Sequence, residues 1–155
     1  MLSKNKIVIY ISIVIFFIDR ASKQYILKLS DIENITNLEV TSFLNLNLIF
    51  NKGIAFGIFA VNDSFYYNVI TIIIIIISLA VLLMAFKTNG AEKYCFSMIF
   101  GGAISNIYDR LYYSAVVDFI DVHINNIHWF IFNFADIFIT TGVILLILTE
   151  VYKKK

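Results

Sequence analysis

Hydrophobic positions fall into four long runs separated by shorter and more polar stretches. Each run approaches the roughly 20 apolar residues that a helix needs to cross a bilayer. Lys4 and Lys6 precede the first run, but no small-x-small cleavage site follows it, so we expect this helix to remain part of the protein. The pattern predicts an all-α membrane protein, a four-transmembrane-helix bundle forming a single domain over residues 1–155. The predicted spans cover about 6–28, 65–87, 94–113 and 128–152.

The segment between the first two runs, about 30–63, has a different periodicity. Residues 44–48, Leu-Asn-Leu-Asn-Leu, alternate apolar and polar side chains, which is typical of a half-buried strand. Gly53 and Gly57 follow closely, and glycine permits tight turns and close backbone approach. We therefore predict a small extracytoplasmic β-sheet within this first external loop.

Composition supports a membrane location. Hydrophobic residues make up 60% of the chain and charged residues 15%, with a mean hydropathy of +0.85, which is outside the soluble globular range. The net charge of +1 provides no field for nucleic acid, and the single cysteine, Cys95, excludes an internal disulfide. We expect a monomer surrounded by membrane lipids.

Basic residues predict the orientation, because cytoplasmic loops carry an excess of lysine and arginine. One side of the predicted bundle has seven lysines near helix ends, whereas the free loops of the other side have only Lys28 and Lys52. Both termini should therefore face the cytoplasm, which places the aspartates of the chain's apolar runs near the outer leaflet. The seven lysines are Lys4, Lys6, Lys87, Lys93 and Lys153 to Lys155.

Aspartates within or beside the apolar runs are the strongest indication of function. A carboxylate near mid-bilayer costs about 2.5–3.5 kcal/mol even on the mild insertion scale. Asp19 and Lys23 are four residues apart, in the favourable order for an ion pair. Asn106 and Asp109 share a polar helix stripe, and Asp109 with Arg110 is interpreted as a second internal clamp.

Asp118 and Asp136 have no basic residue within four positions, and Asn133 shares a helix face with Asp136. Two uncompensated carboxylates close together cannot both ionise easily, so they suit a pair that shares one proton. One would act as base on a water while the other donates a hydrogen bond to a carbonyl. Asp121 is an equally unpaired rival to Asp118, and the residue chemistry does not choose between them.

Two alternatives to a catalytic carboxyl pair are a metal site and a proton relay. His123 and His128, with Asp118 and Asp121, match neither the i, i+4 histidine pair of a zinc-binding helix nor a familiar ligand motif. We therefore predict no metal and no cofactor. Buried Asp, Asn and Lys side chains also build proton relays, so a small proton-coupled membrane transporter is the alternative function.

Five motifs, in order along the chain, resemble those of the lipoprotein signal peptidases, the bacterial type II signal peptidases. The family usually has Gly where Ser105 stands and often Thr where Ser22 stands. The motifs are Asp19-x-x-Ser-Lys23, Asn51-x-Gly-x-Ala-Phe56, Gly101-Gly102-Ala103-x-x-Asn106-x-x-Asp109-Arg110, Val116-Val117-Asp118-Phe119 and Phe132-Asn133-x-Ala135-Asp136.

The resemblance implies an intramembrane aspartic endopeptidase of the bacterial cytoplasmic (inner) membrane. Its catalytic pair would be Asp118 and Asp136, which leaves Asp121 as a loop carboxylate at the water interface. The implied substrates are diacylglyceryl-modified prolipoproteins, cleaved just before the lipidated cysteine. Substrate-binding or structural support is expected from Asp19, Lys23, Asn51, Gly53, Asn106, Asp109, Arg110 and Asn133.

Overall fold

A computed structural model describes residues 2–33, 37–53, 64–124 and 127–153. Phe56 and Gly57, which belong to the predicted external loop, lie outside the described residues. The elements in chain order are α1 (Leu2–Glu33), β1 (Asn37–Thr41), β2 (Leu44–Asn51), α2 (Ser64–Lys87), α3 (Ala91–Tyr113), β3 (Val116–Ile124), β4 (Ile127–Phe132) and α4 (Phe134–Lys153).

Helix α3 is the centre of the bundle, and α1, α2 and α4 all pack against it. Its glycines allow this close approach. A Cβ added to Gly102 would lie 2.5 Å from the carbonyl oxygen of Ala135, and one added to Gly101 would lie 3.0 Å from the Cα of Ser12. The absent side chains therefore allow the start of α4 and the middle of α1 to approach α3 closely.

The four strands form one antiparallel sheet in the order β1-β2-β3-β4. The strand predicted over residues 44–48 is confirmed as part of β2. The prediction that the sheet is confined to the first loop is wrong, because β3 and β4 come from the segment between α3 and α4. The predicted last span also begins too early: residues 127–132 are a strand, and the helix begins at Phe134. An apolar run shows no break where a strand passes into a helix, which explains the error.

Two of the described helices, α2 and α4, are long and apolar enough to cross a membrane by length and composition. Helices α1 and α3 are also long, with 32 and 23 residues, but they carry charged side chains. Several of these charged side chains, including Asp19, Lys23 and Asp109, are buried inside the bundle. The outer surface is apolar, with large exposed side chains such as Ile76 and Leu83.

The bundle has two chemically different ends. At one end, Lys153 near the end of α4 forms an ion pair with Glu92, and the Lys93 ammonium donates to the Asn5 side-chain oxygen over 3.2 Å. These contacts join the end of α4, the start of α3 and the start of α1. The sheet lies at the opposite end, where α1 and α3 finish. Ser114, in the left-handed conformation at φ 53°, ends α3 and leads into β3.

Candidate active site

Asp118 and Asp136 line the same cavity, of about 160 Å³, where the sheet meets the helices. Asp118 is the third residue of β3, and Asp136 lies in the first turn of α4. The other polar groups lining this cavity come from Asn51, Asn106 and Arg110. The structure thus brings together two carboxylates that are 18 positions apart in the chain.

Amide groups, not cations, donate hydrogen bonds to the two carboxylates. Asn133 reaches both, because its side-chain Nδ2 donates to Asp118 Oδ1 over 2.6 Å and its backbone N–H donates to Asp136 Oδ2 over 3.3 Å. Asn51 Nδ2 donates to the second oxygen of Asp118 over 2.8 Å, and Asn106 Nδ2 donates to Asp136 Oδ1 over 2.9 Å. Among the residues that the structure describes, neither carboxylate forms a salt bridge.

This environment favours a proton on Asp118. Burial, and then repulsion from the Asp136 carboxylate, raise the pKa of Asp118 to about 7. Hydrogen bonds from Asn51 and Asn133 act in the opposite direction but do not cancel the effect. Asp118 can therefore still carry a proton near neutral pH, as one member of a shared-proton carboxyl pair does.

A second aspartate pair, Asp19 and Asp109, is fully buried beside the first and is neutralised by cations. Lys23 Nζ lies 2.7 Å from an oxygen of each carboxylate, and Arg20 forms an ion pair with Asp109. The predicted Asp19–Lys23 pair is confirmed. The predicted clamp between Asp109 and Arg110 is wrong, because adjacent helix residues point in different directions and Asp109 instead binds α1.

The charged pair also holds the backbone beside the uncharged one. Asp19 Oδ1 accepts the backbone N–H of Ala135 over 2.9 Å, and Ala135 is the residue before Asp136. Asp109 Oδ2 accepts the N–H of Val117 over 3.2 Å, one residue before the other cavity carboxylate. The contacts therefore link the two neutralised aspartates to the placement of the two uncompensated ones.

Lys23 makes a third contact that extends toward the cavity. Its ammonium donates to Asn106 Oδ1 over 2.9 Å, and that oxygen also accepts from Asn133 Nδ2 at 3.3 Å. With its oxygen engaged by these donors, the Asn106 amide must present its nitrogen to Asp136. Asn106 was expected as a supporting residue, but its place between Lys23 and Asp136 depends on three helices and cannot be inferred from spacing.

Asn51 and Gly53 form a small turn that brings the end of β2 to the cavity. The Gly53 N–H donates to Asn51 Oδ1 over 2.8 Å, which leaves the amide nitrogen directed at Asp118. Arg110 donates to the Gly53 carbonyl oxygen and so attaches this turn to α3. Arg110 therefore supports the loop, and does not pair with Asp109.

Ser105, at a position where the resembling family usually has glycine, has a clear role. Its side chain is completely buried, and its hydroxyl donates to Asp19 Oδ2 over 2.6 Å. Ser22, the other departure, donates to the Asp19 carbonyl oxygen over 2.7 Å. Ser105 thus adds a hydrogen bond to Asp19 that glycine could not make, whereas the Ser22 hydroxyl makes a contact that threonine could also make.

Asp121 does not reach the cavity. It belongs to β3, and because it is three residues from Asp118 it lies on the opposite face of the strand. The expectation of a loop carboxylate at the water interface is wrong, since Asp121 is only 2% exposed. It lies instead beside His128 and His123, a grouping that spacing along the chain did not predict because it depends on pairing between β3 and β4.

Comparison with known proteins gives a consistent result. The sequence profile of the signal peptidase (SPase) II family matches residues 11–152. A lipoprotein signal peptidase of Pelagibacter ubique is 51% identical over 142 residues, covering 92% of this chain and 86% of the relative. A lipoprotein signal peptidase of Francisella tularensis subsp. mediasiatica is 40% identical over 124 residues, covering 77% of this chain and 76% of the relative.

Solved structures of two bacterial membrane enzymes have the same fold. One is 31% identical with a TM-score of 0.79, covering 97% of this chain and 90% of its own. The other is 34% identical with a TM-score of 0.74, covering 93% and 92%.

Proposed function

The chain belongs to the signal peptidase II family, proteases that remove signal peptides from prolipoproteins, and we propose that Asp118 and Asp136 activate the attacking water. One observation carries this proposal. The two carboxylates share a cavity in which amides bind them and no described cation neutralises them. Such a pair keeps one proton and one negative charge, which are the acid and the base that peptide hydrolysis needs.

In the proposed mechanism, protonated Asp118 donates a hydrogen bond to the scissile carbonyl oxygen. Asp136, ionised, takes a proton from a water whose oxygen attacks the carbonyl carbon. The tetrahedral intermediate collapses when the leaving nitrogen receives the proton that Asp136 took from the water, and the C–N bond breaks. The products are a signal peptide ending in a carboxylate and a lipoprotein with a free amino group. Asn51, Asn106 and Asn133 keep both carboxylates in place throughout.

The proposed substrate is a prolipoprotein whose cysteine carries diacylglycerol, cleaved just before that cysteine. The cavity supports this choice because it is part polar and part apolar: Ile74 and Ile139 line it from α2 and α4. Unwound backbone at membrane depth is tolerated only inside a protein cavity. Arg110 also lines the cavity, and its Nη1 has no hydrogen-bond partner among the described groups, so it is placed to donate to a substrate carbonyl.

The proposed topology has four spans, both termini in the cytoplasm of a bacterium, and the sheet on the outer face of the inner membrane. The active site then lies near the outer leaflet. Pairing of β2 with β3 supports this arrangement, because it requires the segments after α1 and after α3 to be on the same side. Lys93 and Lys153 lie at the opposite end of the bundle, as the orientation predicts for cytoplasmic lysines.

The transporter alternative receives no support from the comparisons, in which the named relatives are peptidases. The lipid requirement can be tested directly. Purified protein in detergent is incubated with one precursor in two forms, with and without diacylglycerol on the cysteine. We expect cleavage of the lipidated form only. Equal cleavage of both forms would show that the diacylglycerol group is not recognised. Cleavage at another peptide bond would contradict the proposed cleavage site before the cysteine.

The monomer is tested separately by light scattering of the purified protein in detergent. A mass of one chain, after subtraction of detergent, is the expected result. A protein that has the mass of two chains and is active only in that form would contradict the proposed monomer.

A further inference from the structure

Both histidines of the chain lie in one cluster, on the β3–β4 hairpin and away from the cavity. His123 and His128 are directly opposed across the two strands, with ring centroids 5.0 Å apart. His128 Nδ1 lies 2.9 and 3.0 Å from the two oxygens of Asp121. One ligand atom from each of the three residues lies within 4.8 Å of the others.

An irregularity in strand pairing creates this cluster. Asp121 pairs with Ile131, and the same register would place position 129 opposite position 123. The register shifts by one residue, so His128 stands opposite His123 instead. Residues 121 and 123 share a face of β3, and opposed residues point to the same face. The bulge therefore brings His128 onto the face that already carries Asp121 and His123.

The described groups leave a buried carboxylate and a buried imidazole nitrogen of this cluster without full compensation. The Asp121 side chain is 2% exposed, and a buried carboxylate is costly without a permanent counter-charge. Among the described residues its carboxylate forms no ion pair with a lysine or arginine, and it hydrogen-bonds to the His128 imidazole, which is itself about half exposed. In the same cluster, His123 Nδ1 is buried and has no hydrogen-bond partner in the described structure. A cation held between these groups would satisfy both the carboxylate and the imidazole nitrogen.

We propose that Asp121, His123 and His128 bind a divalent transition metal ion, of which zinc is the natural probe, and that the ion clips β3 to β4. Two imidazoles and one carboxylate are a ligand set that suits zinc, copper and nickel. Tetrahedral zinc needs ligand atoms about 3.3 Å apart for bonds of about 2.0–2.1 Å. The three ligand atoms, which now lie within 4.8 Å of one another, would reach that spacing by small side-chain rotations. A water would take the fourth position.

The role of this ion is structural and separate from peptide hydrolysis. Asp121 and His123 lie on the face of β3 opposite to Asp118, so the ion would not touch the attacking water. It would instead hold the hairpin whose first strand carries Asp118. The proposal therefore stands or falls independently of the catalytic assignment.

The experiment uses untagged protein in detergent, stripped by a chelator and titrated with zinc by calorimetry and by thermal unfolding. We expect one zinc per chain and a rise in Tm of roughly 5–10 °C when zinc is at a hundred times its dissociation constant. His123→Gln and His128→Gln should each weaken zinc binding by at least about tenfold. The glutamine amide keeps a hydrogen bond to Asp121 available, so this change separates metal binding from a simple hydrogen-bonded staple.

Matched controls locate the ion. Asp118→Asn and Asp136→Asn should bind zinc as tightly as wild type. Loss of binding in these variants, with binding intact in the histidine variants, would place the metal between the cavity carboxylates and overturn the proposal. Absence of a Tm rise with less than one-fifth equivalent bound would also overturn it. If a histidine variant fails to fold, cobalt binding by wild type decides: a visible spectrum of low-symmetry nitrogen and oxygen coordination is expected, and its absence refutes the site.

Discussion

Two pairs of aspartates lie side by side in this bundle, and they differ in their counter-charges more than in their burial. Asp19 and Asp109 are fully buried and share the ammonium of Lys23, and Arg20 adds a second cation. Asp118 is 2% exposed, yet its side-chain hydrogen bonds come from amides, as do those of Asp136. Burial alone therefore does not prepare a carboxylate for chemistry.

The two pairs are also mechanically linked. The neutralised aspartates accept the backbone N–H groups of Val117 and Ala135, each one residue before a cavity carboxylate. An ionised, fully compensated carboxylate is a strong and fixed hydrogen-bond acceptor. The first pair can thus position the second without sharing its proton. Substitutions in the two pairs should consequently fail in different ways.

The largest expected effect is on turnover when the uncompensated pair is changed. Asp118→Asn and Asp136→Asn should each lower kcat by at least about 10³-fold, because the amide can neither accept the water proton nor donate a carboxyl proton. The double variant should be hardly worse than either single one, since the two groups act as a unit. Single-turnover cleavage of lipidated precursor measures this.

Both asparagine variants should remain folded and bind lipidated precursor, because asparagine keeps the size and much of the hydrogen bonding. The matched control is Asp31→Asn on the exposed surface of α1, which should retain wild-type activity. Near-normal turnover in Asp118→Asn would show that the catalytic assignment is mistaken.

Substitutions in the neutralised pair should act mainly by lowering the stability of the fold. Asp19→Ala removes one of the two carboxylates that bind the buried Lys23, and Asp109→Ala removes the other and also leaves Arg20 without its carboxylate. Breaking a buried pair in this way costs up to about 3–5 kcal/mol of unfolding free energy, and we expect the larger loss in Asp109→Ala. Folded yield and Tm should fall together with activity in both variants. If either variant accumulates and melts like wild type yet has no turnover, that aspartate belongs to the chemistry and the contrast between the pairs is lost.

The pH dependence of stability and of turnover should distinguish the two pairs in protein that remains folded. Because the pKa of Asp118 is raised from 3.8 to about 7, the folded state holds this proton more tightly than the unfolded chain. Its stabilising effect is full below about pH 4 and is lost as the pH rises to about 7. Turnover should also decline above about pH 7, as the shared proton leaves the pair.

Asp118→Asn removes this titration. The variant should melt at a higher temperature than wild type at pH 8, and the difference should disappear near pH 4. Parallel melting curves at both pH values would contradict the raised pKa of Asp118.

The smallest effect is expected at Ser105, the hydroxyl donor to Asp19. Ser105→Ala should lower the unfolding free energy by about 1–2 kcal/mol, since one hydrogen bond to a charged group is lost. Turnover per folded molecule should stay within about threefold of wild type, because Lys23 and the Ala135 N–H still hold Asp19. A larger loss of kcat with unchanged Tm would assign Ser105 to the catalytic apparatus.

Local sequence patterns were enough for those features that depend on neighbouring residues. The apolar runs predicted helices that the structure confirms at Ser64–Lys87 and Ala91–Tyr113, and alternation predicted strand β2. The Asp19–Lys23 ion pair followed from i, i+4 spacing. The motif resemblance singled out Asp118 and Asp136, and the structure places them in one cavity.

Tertiary structure decided the features that join distant elements. Residues 127–132 became a strand because β3 was available to pair with them, although their apolar sequence is equally compatible with a helix. The partners of Asp109 and Asp19 lie on other elements, such as Ala135, which is 116 positions from Asp19. The His123–His128 cluster depends on one residue of register in the hairpin. Periodicity indicates which face of a helix or strand is buried. Only the packing of distant elements determines which side chains contact that face.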